Sequence, residues 1–432
     1  MNSLHRMSSF AIGIGLFTLL ATAALAAAPS MKPGMPREIL SWRDEILSKD
    51  EYRRLVDEWR SYIDRHPQEA AAYVQLARAM RYARTGSAED RNDQVRKALA
   101  IDPDCPEALD AYADTGLHSS DPMLTREEAL EYAERASRLA PEWTYPHFTL
   151  WSLLISLGRE DEAVDELRTL TRKGGFPSPL MDFNYDILVS AEPGAIILTN
   201  GDNDTYPSLA LQAAHGIRRD VAIVNLSLLN LIEYAVPVWK RTFGNDGPFT
   251  DRELRKMHEG WKDEHKSSGD LFATQVLKAL LEKVRTGKWH RPVYFAITVA
   301  PTHLDACDRQ LEIEGLLLRV TRAPKRADGE HSVNLDKTLR LFREEFRLES
   351  ATDLAYPWTP DSAIRPLMTN YPAVLRLVAA RSADGGDLES ARYALREAME
   401  VLEFHDYREM MGKMAEYWKE LDPRNPEIDR WR

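Results

Sequence analysis

Cysteine is scarce in this chain of 432 residues, with only Cys105 and Cys307 present. Two thiols are too few for a disulfide framework, and neither has the His/Cys spacing of a zinc site. The two cysteines fall in segments that we assign to different domains. Whether they form a disulfide with each other therefore stays open. Two free thiols are the simpler expectation.

Several signatures of common enzymes are also lacking. The sequence has no glycine-rich phosphate loop, no serine nucleophile elbow and no Cys-His dyad. It lacks an excess of positive charge as well, since the formal net charge is −12. Such a balance disfavours nucleic acid and anionic membrane surfaces as partners.

Long apolar runs are missing after the N-terminus. His5 and Arg6 precede an apolar run over residues 10–23, which ends in Ala24-Leu25-Ala26. This pattern predicts a signal peptide over residues 1–26 and a periplasmic or secreted mature protein; a membrane anchor is the alternative. No later segment reaches the roughly 18 apolar residues of a membrane span. Residues 27–50 are predicted to be a linker.

A loose repeat covers residues 51–173, with prolines at 67, 103 and 141 and therefore spacings of 36 and 38 residues. Small and aromatic residues recur at matching positions, which are Ala72, Tyr73, Leu76, Ala77, Ala108, Tyr112, Ala113, Tyr132, Tyr145 and Gly158. The segment resembles the tetratricopeptide repeat family. The resemblance implies an α-solenoid that binds another protein or a peptide, with most of its tyrosines in the core.

The sequence pattern changes after residues 174–179, where glycine and proline indicate a domain boundary. Two short apolar runs, at 195–199 and 220–226, flank a predicted helix at 207–215, which is the order of a βαβ unit with parallel strands. Further strands are predicted at 292–299 and 315–321. Residues 180–330 are therefore predicted to form a small α/β domain with a mostly parallel sheet of three or four strands, and residues 335–432 a helical, repeat-like segment. The whole is a multidomain α and α/β protein.

An acidic loop follows the first predicted strand and carries Asn200, Asp202, Asn203 and Asp204. Ligands of open α/β sheets bind at such strand ends. Asp202 and Asp204, one residue apart, are the predicted ligands of a divalent cation, if the loop curls at Gly201. The alternative is structural, with Asp204 or Thr205 capping the next helix and the other side chains holding the turn.

A second polar group follows the second predicted strand, at Asn225, Ser227 and Asn230. Parallel pairing would bring it beside the acidic loop, so these residues join Asn200–Thr205 in the predicted ligand site. His303, after the third strand, is the nearest histidine that could act as a base.

The order of several motifs in residues 180–330 resembles a known family. They are the loop at residues 197–207, Gly216-Ile-Arg-Arg-Asp-Val221, Val224-Asn-Leu-Ser-Leu-Leu-Asn230 and Arg291-Pro-Val-Tyr-Phe-Ala296. The family is the soluble C-terminal part of bacterial membrane proteins labelled protein O-mannosyltransferase-like, of unknown function. The membrane region is replaced here by the repeats, so the resemblance implies an extracytoplasmic module and carries no transferase activity.

These observations favour an exported binding or assembly module of the cell envelope. The repeats would bind a protein or peptide, and the acidic loop would hold a ligand or a metal ion. The alternative is a metal-assisted enzyme that acts on glycan or phosphorylated envelope material, with Asp202 and Asp204 holding the ion. Whether there is any catalysis stays open at this point.

Overall fold

The computed structural model describes residues 30–118, 124–264, 271–304, 307, 310–322, 332–423 and 425. The predicted signal peptide lies outside these ranges. Most of the described chain is helical. The helices are α1 (Lys49–Arg65), α2 (Ala70–Ala83), α3 (Ala88–Ile101), α4 (Pro106–His118), α5 (Arg126–Leu139), α6 (Tyr145–Ser156), α7 (Glu160–Arg172), α8 (Ser178–Ser190), α9 (Asp202–His215), α10 (Ile232–Ala235), α11 (Val238–Phe243), α12 (Asp251–Glu264), α13 (Phe272–Arg285), α14 (Leu335–Arg340), α15 (Arg365–Met368), α16 (Asn370–Asp384), α17 (Leu388–Phe404) and α18 (Arg408–Leu421).

Helices α1 to α7 form a row in which each helix packs against the next. The first helices of successive predicted repeats also meet, α2 with α4 and α4 with α6. Pro67, Pro103 and Pro141 each stand two residues beyond the end of a helix, where proline cannot continue it. A helical solenoid is therefore plausible for this region, and its assignment to the tetratricopeptide family stays a prediction.

One mixed sheet contains six strands in the order β2-β1-β3-β5-β4-β6. The strands are β1 (Ile196–Thr199), β2 (Ala222–Asn225), β3 (Val293–Ala296), β4 (Leu311–Glu314), β5 (Leu317–Val320) and β6 (Ser332–Val333). β1 pairs in parallel with β2 and with β3, whereas β5 is antiparallel to both β3 and β4. The prediction of parallel strands is correct for this first half of the sheet, and the predicted number of three or four strands is wrong.

The sequence did not predict strand β4, because one of its buried residues is charged. Glu314 is fully buried, and its carboxylate accepts hydrogen bonds from Lys337 Nζ at 2.6 Å and from Arg319 Nη1 at 3.0 Å. Burial acts to raise the pKa of Glu314, but Lys337 and the other donors outweigh it and lower the pKa. Gly315, at φ +62°, then forms the tight turn into β5.

A single hydrophobic cluster joins the sheet to helices that precede and follow it in the chain, from Ala113 in α4 to Trp418 in α18. Of the C-terminal helices, α16 contacts α14 and β6, and α17 packs against both α16 and α18. Tyr371 of α16 meets Phe183 of α8 edge to face at 5.6 Å. The C-terminal helices thus cover the α/β region at this end.

Two helical features are not among the elements predicted from the sequence. After β2 the chain forms a 3-10 turn over residues 228–230 and then α10 and α11, and Pro237 interrupts the hydrogen-bond pattern between these two helices. Helix α8 lies in a stretch that had no prediction, and it packs against α9. Within the described ranges, no helix is both long and apolar enough to cross a membrane.

Candidate functional site

A cleft of about 950 Å³ opens where the strand order of the sheet reverses. The chain leaves β1 towards β2 on one side, whereas β3 lies on the other side of β1. Open α/β sheets bind ligands at this kind of switch point, outside the carboxyl ends of the strands. The acidic loop after β1 and Thr298 after β3 line this wall of the cleft.

The opposite wall is built from the helical repeats. Residues of α2, α3, α4 and α6 line it, together with Ser41, Trp42 and Arg43 of the segment that precedes α1. The repeat surface and the acidic loop, which the sequence suggested as two separate binding regions, therefore face each other across one cleft.

Asp204 is the most tightly held residue of the acidic loop. Only 3% of its surface is exposed. Its carboxylate accepts hydrogen bonds from the backbone N–H groups of Asn200 and Gly201, both at 2.8 Å, and from the hydroxyl of Thr298. Burial raises the pKa of Asp204, against the lowering effect of these donors. The carboxylate thus places a negative charge in the first turn of α9 and fixes the two residues that precede the helix.

Asp202 has a different environment. Its side chain is 46% exposed and lies 3.5 Å from Arg43 Nη1. Among the described residues, no group of three or more His, Cys, Asp or Glu side chains is placed to hold a metal ion. A divalent cation shared by Asp202 and Asp204 therefore stays a prediction, and its two ligands would come from unlike surroundings.

Asn203 links the loop to two other parts of the chain. Its side-chain amide donates to the carbonyl of Arg43 at 3.0 Å. Its own carbonyl would normally bond to the N–H four residues later, but that residue is Pro207. The buried side chain of Asn184 donates to this carbonyl instead, at 2.8 Å. The loop is thereby fixed from both sides.

Thr205 and Asn225 lie beneath the loop and are buried. The hydroxyl of Thr205 is 2.7 Å from that of Thr199 and accepts a hydrogen bond from Asn225 Nδ2 at 2.9 Å. The amide oxygen of Asn225 accepts from the N–H of Leu228 at 3.0 Å. Parallel pairing of β1 and β2 does bring Asn225 to the acidic loop, as expected. There it supports the loop from below and is not among the residues that line the cleft.

Ser227 and Asn230 are directed elsewhere. Asn230 Nδ2 donates to the carbonyl of Ser227 at 3.0 Å, and its oxygen accepts from the N–H of Ala273 in the first turn of α13. Neither residue lines the cleft, and neither does His303. Of the predicted site residues, the structure therefore places Asn200, Asp202, Asn203 and Asp204 at the cleft.

This loop and its surroundings match a known family. Residues 180–247 match the model of TMEM260-associated domain 2. No curated protein sequence gives a match. The matched segment runs from α8 to just beyond α11, and it includes the acidic loop, Asn184 and Asn225. Because it covers well under half of the chain, it shows similarity for this part alone. The O-mannosyltransferase-like resemblance stays a prediction.

The wall opposite the segment similar to TMEM260-associated domain 2 carries paired charges. Arg81 Nη1 of α2 lies 2.8 Å from Asp114 Oδ2 of α4, and Arg78 Nη2 lies 3.9 Å from Asp110 Oδ2. The sequence-based prediction missed these four residues. Their helical spacings, three residues on α2 and four on α4, place each pair of like charges on one helix face and could have indicated them.

Asp110 is a buried carboxylate in the wall of the cleft. It is 5% exposed, and the hydroxyl of Thr149 donates to its Oδ1 at 2.7 Å. Burial raises the pKa of Asp110 to about 6, although Arg78 and Thr149 act to lower it. Buried carboxylates with shifted pKa values are frequent in functional clefts.

An aromatic pair forms part of the rim. Trp42 is 46% exposed and stacks on Tyr82, with ring centroids 4.6 Å apart and an angle of 18° between the planes. The indole Nε1 also donates to the hydroxyl of Tyr52 at 3.2 Å. Stacking and the hydrogen bond fix the orientation of Trp42, and a rigid exposed aromatic ring is suited to binding.

Arg43 connects the two walls. Its guanidinium lies 4.0 Å above the ring of Phe148 in α6 and 3.5 Å from Asp202. Its carbonyl accepts the hydrogen bond from Asn203 described above. Within the described structure, Arg43 Nε is buried without a hydrogen-bond partner. Residues before α1 therefore belong to the cleft, although the sequence suggested only a linker over 27–50.

Proposed function

We propose that this chain is an exported recognition protein, which binds a polar ligand or a segment of a partner in the cleft between the repeat helices and the acidic loop. One observation carries the proposal: the acidic loop, at the switch point of the sheet, faces the first helices of the repeats across a single cleft. Export follows from the predicted signal peptide, and the envelope is the expected location.

The chemistry of the cleft supports binding of a ligand with both hydrogen-bond donors and acceptors. Asn200 and Asp202 are exposed on the loop side, and Arg81, whose side chain is 50% exposed, lies on the helix side. Trp42 adds an apolar surface at the rim. A small number of precisely placed polar groups together with an aromatic surface is typical of ligand sites of this size.

The loop side is unsuited to a phosphate or another anion. The carboxylate of Asp204 already accepts the N–H groups of Asn200 and Gly201, just before α9, and Asp202 adds a second negative charge beside it. A ligand group that approaches this side should be a donor or a cation. Anionic groups would find their partners only on the arginine-bearing wall.

Site-specific photo-crosslinking tests the proposal. A photoreactive residue at Asn92, which lines the cleft, should give crosslinked products in cells that export the chain. The same residue at Glu416, exposed on α18, should not give them. Asn200→Trp, which fills the cleft from the exposed loop, should remove the products, and Lys419→Trp on α18 should leave them. Equal products from both positions, or none from Asn92, would overturn the proposal.

A further inference from the structure

The repeat-side wall presents charges of both signs in matched positions. Arg78 and Arg81 of α2 face Asp110 and Asp114 of α4, and all four residues line the cleft. Arg81 and Asp114 are in direct contact at 2.8 Å. Arg78 and Asp110 are 3.9 Å apart, which is too far for a hydrogen bond.

The second pair is therefore incomplete. Asp110 Oδ1 accepts the hydroxyl of Thr149, but no donor among the described residues lies within hydrogen-bonding distance of Oδ2. The nearby Arg78 donates weakly to the carbonyl of Ile39 at 3.4 Å. Asp110 is 5% exposed and lines the cleft, and Oδ2 is not among the enclosed polar atoms without a partner. This oxygen is therefore accessible from the cleft, where a donor group of a ligand can bind it.

A ligand with only one charged group would bind less tightly at these pairs. An anion bound to Arg78 or Arg81 would draw the arginine from its aspartate, and the buried Asp110 would then lose its nearest positive charge. A cation bound to Asp110 would lie close to Arg78 and be repelled. A ligand with both an ammonium and a carboxylate group avoids both costs, because it supplies a partner to each member of a pair.

On the basis of the proposed function, we infer that the ligand is a short peptide with free termini, whose ammonium group binds Asp110 and whose carboxylate binds Arg81 and Arg78. The cleft volume of about 950 Å³ exceeds what one amino acid needs. Trp42, stacked on Tyr82, offers a surface for a side chain of the peptide. Across the cleft, Asn200 and Asp202 can accept hydrogen bonds from its backbone N–H groups.

Binding to degenerate peptide libraries tests this inference. The whole chain is dialysed against a library of tetrapeptides with free termini, and against the same library acetylated and amidated, and retained peptides are measured by mass spectrometry. We expect at least tenfold greater retention of the free library. Libraries blocked at one end only should each be retained less than the free one. Equal retention of free and blocked peptides, or retention of neither, would overturn the inference.

Two substitutions test which residue binds each terminus of the peptide. Asp110→Asn should abolish the preference for a free N-terminus, and Arg81→Gln, at a half-exposed site that tolerates change, should abolish the preference for a free C-terminus. Asp50→Asn and Arg53→Gln alter an exposed pair on α1 and serve as matched controls without effect. If both cleft variants retain the parent's preferences, the assignment is wrong.

The peptide inference can fail while the proposed function of the cleft holds. Crosslinks from Asn92 together with equal retention of free and blocked peptides would overturn the peptide and leave the cleft as a binding site. Absence of both the crosslinks and the retention would overturn the two proposals together.

Discussion

The side chain of Asn184 donates a hydrogen bond of 2.8 Å to the backbone carbonyl of Asn203. This contact replaces the helical bond that Pro207 cannot make. Asn184 also accepts a hydrogen bond from the hydroxyl of Ser208 at 2.8 Å. A buried asparagine on α8 therefore compensates for a proline in α9, and the acidic loop depends on the packing of these two helices.

Asn184→Ala should lower the free energy of unfolding by about 2–4 kcal/mol, because it leaves a buried carbonyl and a buried hydroxyl unsatisfied. Chemical denaturation measures the change. In a Pro207→Ala background the restored N–H at position 207 can bond to the carbonyl of Asn203, so the cost should be about 1 kcal/mol smaller. Equal costs in the two backgrounds would show that Asn184 does not act through this carbonyl.

Asp204→Asn should destabilise the protein by about 1–3 kcal/mol, since an amide cannot accept all the hydrogen bonds that hold the loop. Asp202→Asn, at an exposed side chain, should change stability by less than about 0.5 kcal/mol. Both changes are read from thermal unfolding with and without calcium, magnesium or manganese. The structural role of Asp204 predicts the same difference in each buffer.

The same measurement tests the metal-assisted alternative. If Asp202 and Asp204 share a cation, the metal should raise the unfolding temperature of the parent, and each substitution should remove that rise. Such a result would contradict a purely structural role for Asp204.

Arg43→Ala should loosen the segment before α1, because it removes the contact with Phe148 and the ion pair with Asp202. We expect faster hydrogen exchange in residues 41–45 and in the acidic loop, measured by mass spectrometry. The exposed Arg53→Ala on α1 is the control. Unchanged exchange in the acidic loop of the Arg43 variant would show that the segment does not stabilise it.

Asp110 should give the protein a pH-dependent stability. Burial raises its pKa in the folded state to about 6, above the ordinary value of 3.8. Between these values the unfolded chain loses its proton first, so the contribution of Asp110 to stability falls as pH rises from about 4 to 6. A shift of this size corresponds to roughly 3 kcal/mol.

The pH profile of Asp110→Asn isolates this contribution. The difference in free energy of unfolding between variant and parent should grow in favour of the variant across pH 4 to 6 and then level off. A difference that is constant over this range would show that the pKa of Asp110 is not raised.

Local patterns were enough to locate the first strand, but the predicted helix starts at residue 207, whereas α9 begins at Asp202 and includes most of the acidic loop. Residues 195–199 are apolar and bounded by Gly194 and Gly201, which predicts a short buried strand, and β1 lies there. The prolines after α1, α3 and α5 likewise mark the ends of helices. By contrast, β4 could not be predicted, because Glu314 in the core is stabilised by Lys337, which is distant in sequence.

Local signals in the sequence are sufficient to predict repeat-like helices before an α/β region and polar side chains after its first strand, because helix, strand and turn signals depend on neighbouring residues. The partners of those side chains depend instead on how distant parts of the chain pack together. Asp204 is turned inward by Thr298, and Asp202 meets Arg43 across the cleft. Such long-range contacts follow from how whole elements pack, and no local pattern contains them.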